Sequence, residues 1–585
     1  MLAIFLLVGF AYQGPPLDGE VSEDLSSLVR RHCASCHGGE RPSAKFDLSD
    51  FRVDASEPER VAEMLSRVRS GDMPPPEEVE FSGEERTRLV HGLESALAAL
   101  VPDPGRPTLR RLNRFEYGNA VRALLEIDLD VERDLPEDAS SEGFDNQGDV
   151  LFVTPHLTEL YLDAAERAIA AFVEERGQRY SSLVEDQDVE RLLERAFRRP
   201  PTSQEIAARE RLLRGDDGVR GCLASVLLSP HFLFRIEEDR DEEEPWRISS
   251  WELATRLSFF LWAAPPDDVL LAAARDESLL DPEVLAAQVD RMIDDERSRA
   301  LGSRFAGRWL GFADVETRAV DFRRFKGVAK RVKTAMVRES TLFFERLVRE
   351  DRSLLELVDS KSTFLNATLA KHYGIDGVEG NKMRRVELDD RRRGGVLTQA
   401  SILTVTSQPL RTSPVVRGAW ILDRLFGTPS PPPPPDAGSL PPDDQLDDGL
   451  TLRQRLEKHR EEARCASCHA RIDPLGFALE NYDGVGRWRD EDHVGPIDAS
   501  AILPNGREVN GVVGLKDALL EEPERIARGA ASAMLVYALG RPLEPADQRV
   551  LSEIVLRLRE QQWSARTLVH SIVASYPFQF RRAAQ

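Results

Sequence analysis

Two five-residue words carry the clearest chemistry in the chain: Cys33-Ala34-Ser35-Cys36-His37 and Cys465-Ala466-Ser467-Cys468-His469. Each is C-x-x-C-H, the attachment signature of c-type haem. Two cysteines three apart share one helical turn and can reach both vinyl groups of one porphyrin. The adjacent histidine then presents a ring nitrogen to the iron. Cys33, Cys36, Cys465 and Cys468 are the expected covalent anchors of one or two haem c groups, and His37 and His469 the expected axial ligands. Two other chemistries use the same residue types. The four thiols could close a Cys₄ zinc site, which would leave both histidines without a role. A thioredoxin-like pair wants a βαβ setting, and neither word has one.

The first word has a candidate sixth ligand downstream. Met73 stands in Ser70-Gly71-Asp72-Met73-Pro74-Pro75-Pro76. A thioether trans to histidine favours Fe(II) and raises the potential. The prolines lack N–H groups and fix φ, so they hold an irregular loop that can present a side chain. The segment Pro58 to Arg69 reads as a helix with Val61, Leu65 and Val68 on one face, suited to pack on a porphyrin. Met64 competes for the iron, but its helical spacing assigns it to the core. The second word has no such loop. No methionine follows it until Met534, inside an apolar helix pattern. His459 precedes it and is the preferred distal ligand; His493 follows in a polar stretch. With histidine on both sides the iron could only pass electrons. Left open, it could bind a small ligand such as peroxide.

Other candidates read as structural. Cys222 is a lone thiol in an apolar helix. Asp145, Asn146 and Asp149 offer oxygens to a cation, but their spacing is not that of a calcium loop. Thr404 to Arg417 is rich in small hydroxyls, with Arg411 and Arg417, and reads as a loop open to an anionic or sugar ligand. No P-loop, dinucleotide fingerprint or Ser-His-Asp order stands out.

The elements that must position these residues are mostly helices. Glu84 to Leu100 and Trp251 to Trp262 have helical apolar spacing, and residues 183–375 look helical almost throughout. Ile497 to Val513 reads as a hairpin turning at Pro504-Asn505-Gly506. Two closing helices are expected, roughly Leu515 to Leu539, capped by Gly540, and Pro545 to Tyr576. Prolines and glycine near Pro102 to Pro107, and Pro431 to Pro435, mark boundaries. The expected organisation is a signal peptide at 1–16, a cytochrome c-like domain at 21–101 and helical domains at 107–175, 183–245 and 246–380. A helical or loop segment at 385–427, a proline-rich linker at 428–448, the second C-x-x-C-H segment at 449–495 and a hairpin with closing helices at 496–585 complete it. The fold class is therefore mainly α and multidomain.

At 585 residues the chain is long enough for several cores. Five cysteines rule out a disulfide scaffold. A net charge of −23 argues against nucleic-acid binding. The apolar run Met1 to Tyr12 is too short to span a bilayer and fits a signal peptide, although the basic start such peptides carry is missing. Export to a periplasm is the expectation, with no membrane span beyond that signal.

Longer words carry a resemblance. Leu109 to Ala120 (LRRLNRFEYGNA) with Ser141 to Val150, Arg195 to Pro200 (RAFRRP), Leu228 to Arg235 (LSPHFLFR) and Phe364 to Tyr373 (FLNATLAKHY) are four. Cys465 to Arg489, Tyr537 to Arg541 (YALGR) and Ser575 to Arg581 (SYPFQFR) follow. With Cys33 to His37 and Gly71 to Pro75, the chain resembles the large secreted multidomain cytochrome c-like proteins of planctomycetes. These join DUF1587, DUF1595, DUF1592, DUF1588 and DUF1585 domains to an N-terminal cytochrome c module. Relatives often carry Met where this chain has Ile472. The resemblance implies haem binding and electron transfer to a redox partner protein. The alternative is a haem-dependent periplasmic oxidoreductase, peroxidase-like or carbohydrate-oxidising, with its substrate site in the middle domains or at an open second iron.

Overall fold

Several helices start where a side chain accepts the orphan N–H groups of the first turn. Ser82 with Glu85, Asn113 with Glu116 and Ser249 with Glu252 each close a reciprocal capping box. They open the helices Gly83–Ala98, Arg114–Leu125 and Ser250–Trp262. The computed structural model describes residues 19–39, 42–49, 51, 56–74, 79–175, 189–216, 218–431, 449–460 and 463–584. The expected signal peptide, nearly all of the proline-rich linker, and Pro75 and Pro76 lie outside these residues.

The protein is mainly helical, as the apolar spacing predicts, with four two-stranded antiparallel pairs among the described residues. The expected hairpin is one of them: Ser500–Ile502 pairs with Glu508–Asn510, and Gly506 takes the left-handed conformation of the turn. Among the described residues no helix is long and apolar enough to cross a membrane.

The closing helices divide more finely than their apolar pattern indicates. Gly511–Leu520 and Pro523–Leu539 are separate, because Pro523 has no N–H to continue the first ladder. Asp547–Glu560 and Ala565–Val573 are separated at Gln562 and Trp563, both at positive φ. Gly540 caps as expected, at φ +67°, with its N–H on the Val536 carbonyl.

The chain divides into two units, each gathered from three separate stretches. One contains residues 1–102, 306–533 and 544–568; the other contains 103–305, 534–543 and 569–585. In the first unit, Leu25, Val29, Val61, Met64, Leu65, Val68, Leu89, Leu93 and Leu97 build a small core between the helices Gly19–His32, Pro58–Ser70 and Gly83–Ala98. Met64 is in that core, as its spacing predicts. The helix Asp547–Glu560 packs on Gly83–Ala98. In the same unit the helix Lys330–Arg349 packs on the strand pair Ser362–Leu365 and Arg384–Glu387, and Pro414–Trp420 lies against Ala463–Phe477. The second unit has its own core of Leu112, Tyr117, Val121, Tyr161, Leu193, Leu223 and Phe232.

Candidate cofactor sites

The first word begins where the helix Gly19–His32 ends. Cys33 donates its N–H to Val29, and His37 and Cys36 both donate to Cys33, so the two thiols and the imidazole share one turn. Gly38 follows because a Cβ there would stand 2.7 Å from the Ala34 carbonyl oxygen. Burial pushes the Cys33 thiol up to about 11, with Cys36 adding to the effect, which favours the neutral thiol. The His37 Nδ1 lies 3.2 Å from the Ser43 carbonyl and 3.1 Å from the Phe46 carbonyl. Both neighbours are acceptors, so Nδ1 is the donor, and in the neutral ring this places the lone pair on Nε2. That tautomer is the one an axial iron ligand needs. The Phe46 ring sets the imidazole edge-on at 5.8 Å.

Met73 stands 36 % exposed on its loop. Its backbone is pinned. Its N–H donates to Arg67, and Arg86 Nη1 donates to the carbonyls of Val68 and Met73, at 2.7 and 2.9 Å. Gly71, at φ +80°, ends the preceding helix and turns the chain into the loop.

The second word lies inside the helix Ala463–Phe477, with Cys465 and Cys468 one turn apart. His469 Nδ1 is 2.9 Å from Oδ1 of Asp473, which is fully buried. The two residues sit at i and i+4, one above the other on one helix face. Two glycines let a neighbouring helix approach. A Cβ on Gly418 would come within 1.9 Å of the Ile472 carbonyl oxygen, and one on Gly476 within 1.8 Å of the Pro414 carbonyl oxygen. Ile472 is buried in this crossing. Arg417, also buried, donates to the carbonyls of Leu479, Tyr482 and Asp483 and to Glu480. It terminates the helix that carries the word. The stretch expected to be a loop is irregular over 406–413, between the helices Ala400–Val405 and Pro414–Trp420, and its Arg417 is engaged by backbone carbonyls, Glu480 and Ser407 rather than left open to a sugar or anion.

The two words belong to one unit, and an ion pair joins their surroundings. Asp72, next to Met73, pairs with Arg471, two residues after His469. The side chains are about nine-tenths buried. Nothing local in the sequence signals this pairing. Asp473 is not among the site residues expected from the sequence, although its i+4 spacing from His469 on a helix is a local signal for the contact. His459 ends the helix Leu452–His459, and its side chain lies outside the described residues. His493 is exposed, and Met534 is buried as its apolar helix predicts. Asn146 and Asp149 are engaged by the Tyr537 carbonyl and Arg106, and Asn113 donates to Asp145. Cys222 is buried, its thiol pushed up to about 11. Among the described residues no three His, Cys, Asp or Glu side chains are grouped to hold a metal ion.

Five family models match successive stretches, each described as a protein of unknown function. They are DUF1587 at residues 110–174, DUF1595 at 186–237, DUF1592 at 248–375, DUF1588 (PSCyt3) at 393–492 and DUF1585 at 505–578. The DUF1588 stretch includes the second word. No curated protein and no solved structure matches the chain.

Proposed function

For a chain that carries these five domains in series, a set associated with cytochrome-like planctomycete proteins, we propose an exported electron-transfer protein that binds haem c at both words. The observation that carries the reading is the state of the two imidazoles. In each word a histidine one turn from two thiols already has Nδ1 held by an acceptor: backbone carbonyls at His37, a carboxylate at His469. Cys33 and Cys36, and Cys465 and Cys468, would hold the porphyrins by thioether bonds. His37 with Met73, and His469, would ligate the irons. Haem supplies one-electron chemistry at iron when bound; the protein fixes ligand tautomer, ligand basicity and solvent access. Asp72 and Arg471 hold the Met73 loop against the helix of the second word within one unit.

A second reading has one observation in its favour. A carboxylate on the His469 Nδ1–H makes that ligand more basic, which suits an iron that binds and activates a small molecule. A redox partner protein suits the first reading, and a peroxide or carbohydrate substrate the second.

The test is a haem count. The chain is expressed with a signal peptide in a host with cytochrome c maturation, and the pyridine haemochrome is titrated per mole. Two haems are expected, falling to one in Cys33→Ala/Cys36→Ala and in Cys465→Ala/Cys468→Ala. A folded, exported chain without haem overturns the proposal. In the dihaem protein, Met73→Ala should lower the potential of the first centre; an unchanged potential removes Met73 as ligand. Spectral change on adding CO or peroxide selects the second reading, and its absence the first.

A further inference from the structure

The second unit contains a cavity that the two words do not explain. Six arginines line it: Arg106, Arg110, Arg235, Arg256, Arg541 and Arg581. Glu237 is the one acidic residue on its wall. Its volume is about 30 Å³, against roughly 10–15 Å³ for a single water. It therefore takes a few waters or one small ion, and it excludes a nucleotide or a sugar.

Most of these guanidinium groups are engaged. Arg110 is bidentate on Glu116 at 2.6 and 2.8 Å, and both are buried. Arg256 is bidentate on Glu237 at 2.6 Å, and Arg581 donates to the Glu237 carbonyl and to Asp239. Arg106 pairs with Asp149 at the outer end. Arg541 donates to the Pro104 and Pro542 carbonyls, and Gly105 has no side chain because a Cβ would stand 2.2 Å from that guanidinium.

Arg235 is different. Its guanidinium lies 5.8 Å from the Phe259 ring, and no hydrogen bond or ion pair reaches it among the described residues. Its Nε is sealed from solvent without a partner, as are those of Arg110 and Arg581. The backbone makes this worse. Arg110 and Arg235 stand directly opposite each other in a two-stranded antiparallel pair, a position where like charges destabilise. Burial pushes the Arg235 group down to about 9, with repulsion from Arg110 adding to it and the more distant carboxylates of Glu237 and Glu116 offsetting only part. A recessed cation beside a second cation is costly unless an anion meets it. Four words quoted above for their resemblance deliver these side chains: Arg110, Arg235, Arg541 and Arg581 each belong to one of them.

We propose that this cavity binds one small oxyanion, with Arg235 as its principal ligand and the unpartnered Nε–H groups of Arg110 and Arg581 as further donors. Planar guanidinium forks match carboxylate, sulfate and phosphate oxygens better than they match a halide. The site lies in the unit without C-x-x-C-H words, so the proposal does not depend on haem.

Inorganic sulfate is the probe, titrated into the full chain by calorimetry at constant ionic strength. The expectation is one saturable site that raises the midpoint of thermal unfolding, and at least tenfold weaker binding in Arg235→Met. Phosphate and acetate arms separate the sources: tighter tetrahedral ions indicate an inorganic ligand, tighter acetate the carboxylate of an organic one. Stabilisation matched by sodium chloride, or equal binding by Arg235→Met, overturns the proposal. Should that variant not fold, selenate soaked into crystals of the parent chain decides. An anomalous peak beside Arg235 supports the site, and an empty cavity at saturating selenate overturns it.

Discussion

His469 and His37 differ in one contact, and that contact sets a direction. The Nδ1–H of His469 faces the carboxylate of Asp473, whereas His37 faces neutral carbonyls. A carboxylate draws the imidazole toward imidazolate and stabilises Fe(III) on the other nitrogen. Asp473→Asn should therefore raise the potential of the second centre and leave the first unmoved, read by spectroelectrochemical titration. A shift at the first centre alone would contradict the assignment. Two other buried groups of the same unit oppose each other in pH. Burial pushes the Glu339 carboxyl up to about 7, against hydrogen bonds from Thr363 and Tyr373. Its contribution to stability is complete below about pH 4.3 and is lost as pH rises through 7. Burial pushes His372 down to about 4, against its bond to the Val485 carbonyl. That contribution is complete above about pH 6.5 and is lost as pH falls through 4. Each shift corresponds to about 3 kcal/mol, so the slopes cancel across the shared window. Glu339→Gln should unmask the histidine. Stability by denaturant titration then rises by about 3 kcal/mol from pH 4 to 6.5 relative to the parent. A parallel profile in parent and variant would remove Glu339 from the balance.

At the scale of elements, the second word depends on a helix crossing made of absent side chains. Gly418 and Gly476 let Pro414–Trp420 reach the backbone of Ala463–Phe477, and each would place a Cβ within 2 Å of a carbonyl oxygen across the contact. The obstacle in each case is backbone, which cannot rotate away. Overpacking of this kind costs about 1–3 kcal/mol or more. Gly418→Ala and Gly476→Ala should each lower the unfolding midpoint, and the pair less than additively, since both act on one contact. Gly83→Ala is the control. Gly83 is the exposed first residue of the helix Gly83–Ala98, and a Cβ there meets nothing within 4 Å, so the change should be neutral or stabilise by up to about 1 kcal/mol. Equal losses at all three positions would dismiss the crossing as the cause.

At the scale of the whole molecule, what is legible in sequence is what is local. The two words, the capping of Ser250–Trp262, the hairpin at Gly506 and the core role of Met64 follow from spacing and residue type. The Asp72–Arg471 pair and the convergence of six arginines on one cavity do not, because these residues come from distant stretches of the chain and no short-range pattern encodes their meeting. The same holds for the units, since each is sewn from three stretches. Their consequence is testable. Both words belong to the unit of residues 1–102, 306–533 and 544–568. A ligand that binds only the folded state stabilises the structure that holds it, and protection from amide exchange reports that gain segment by segment. Hydrogen exchange on the chain made with and without cytochrome c maturation should therefore show slower exchange in the helices Pro58–Ser70, Gly83–Ala98 and Ala463–Phe477 of the matured protein. The helices Arg114–Leu125, Pro155–Glu175 and Gly218–Leu227 of the other unit should exchange alike in both preparations. Added sulfate should do the reverse, protecting strands Arg110–Arg111 and Phe234–Arg235 and leaving the first set unchanged. Protection from haem spread evenly over both sets would mean that the units do not respond as separate structures. Protection confined to the helices around Cys33 would restrict haem to the first word.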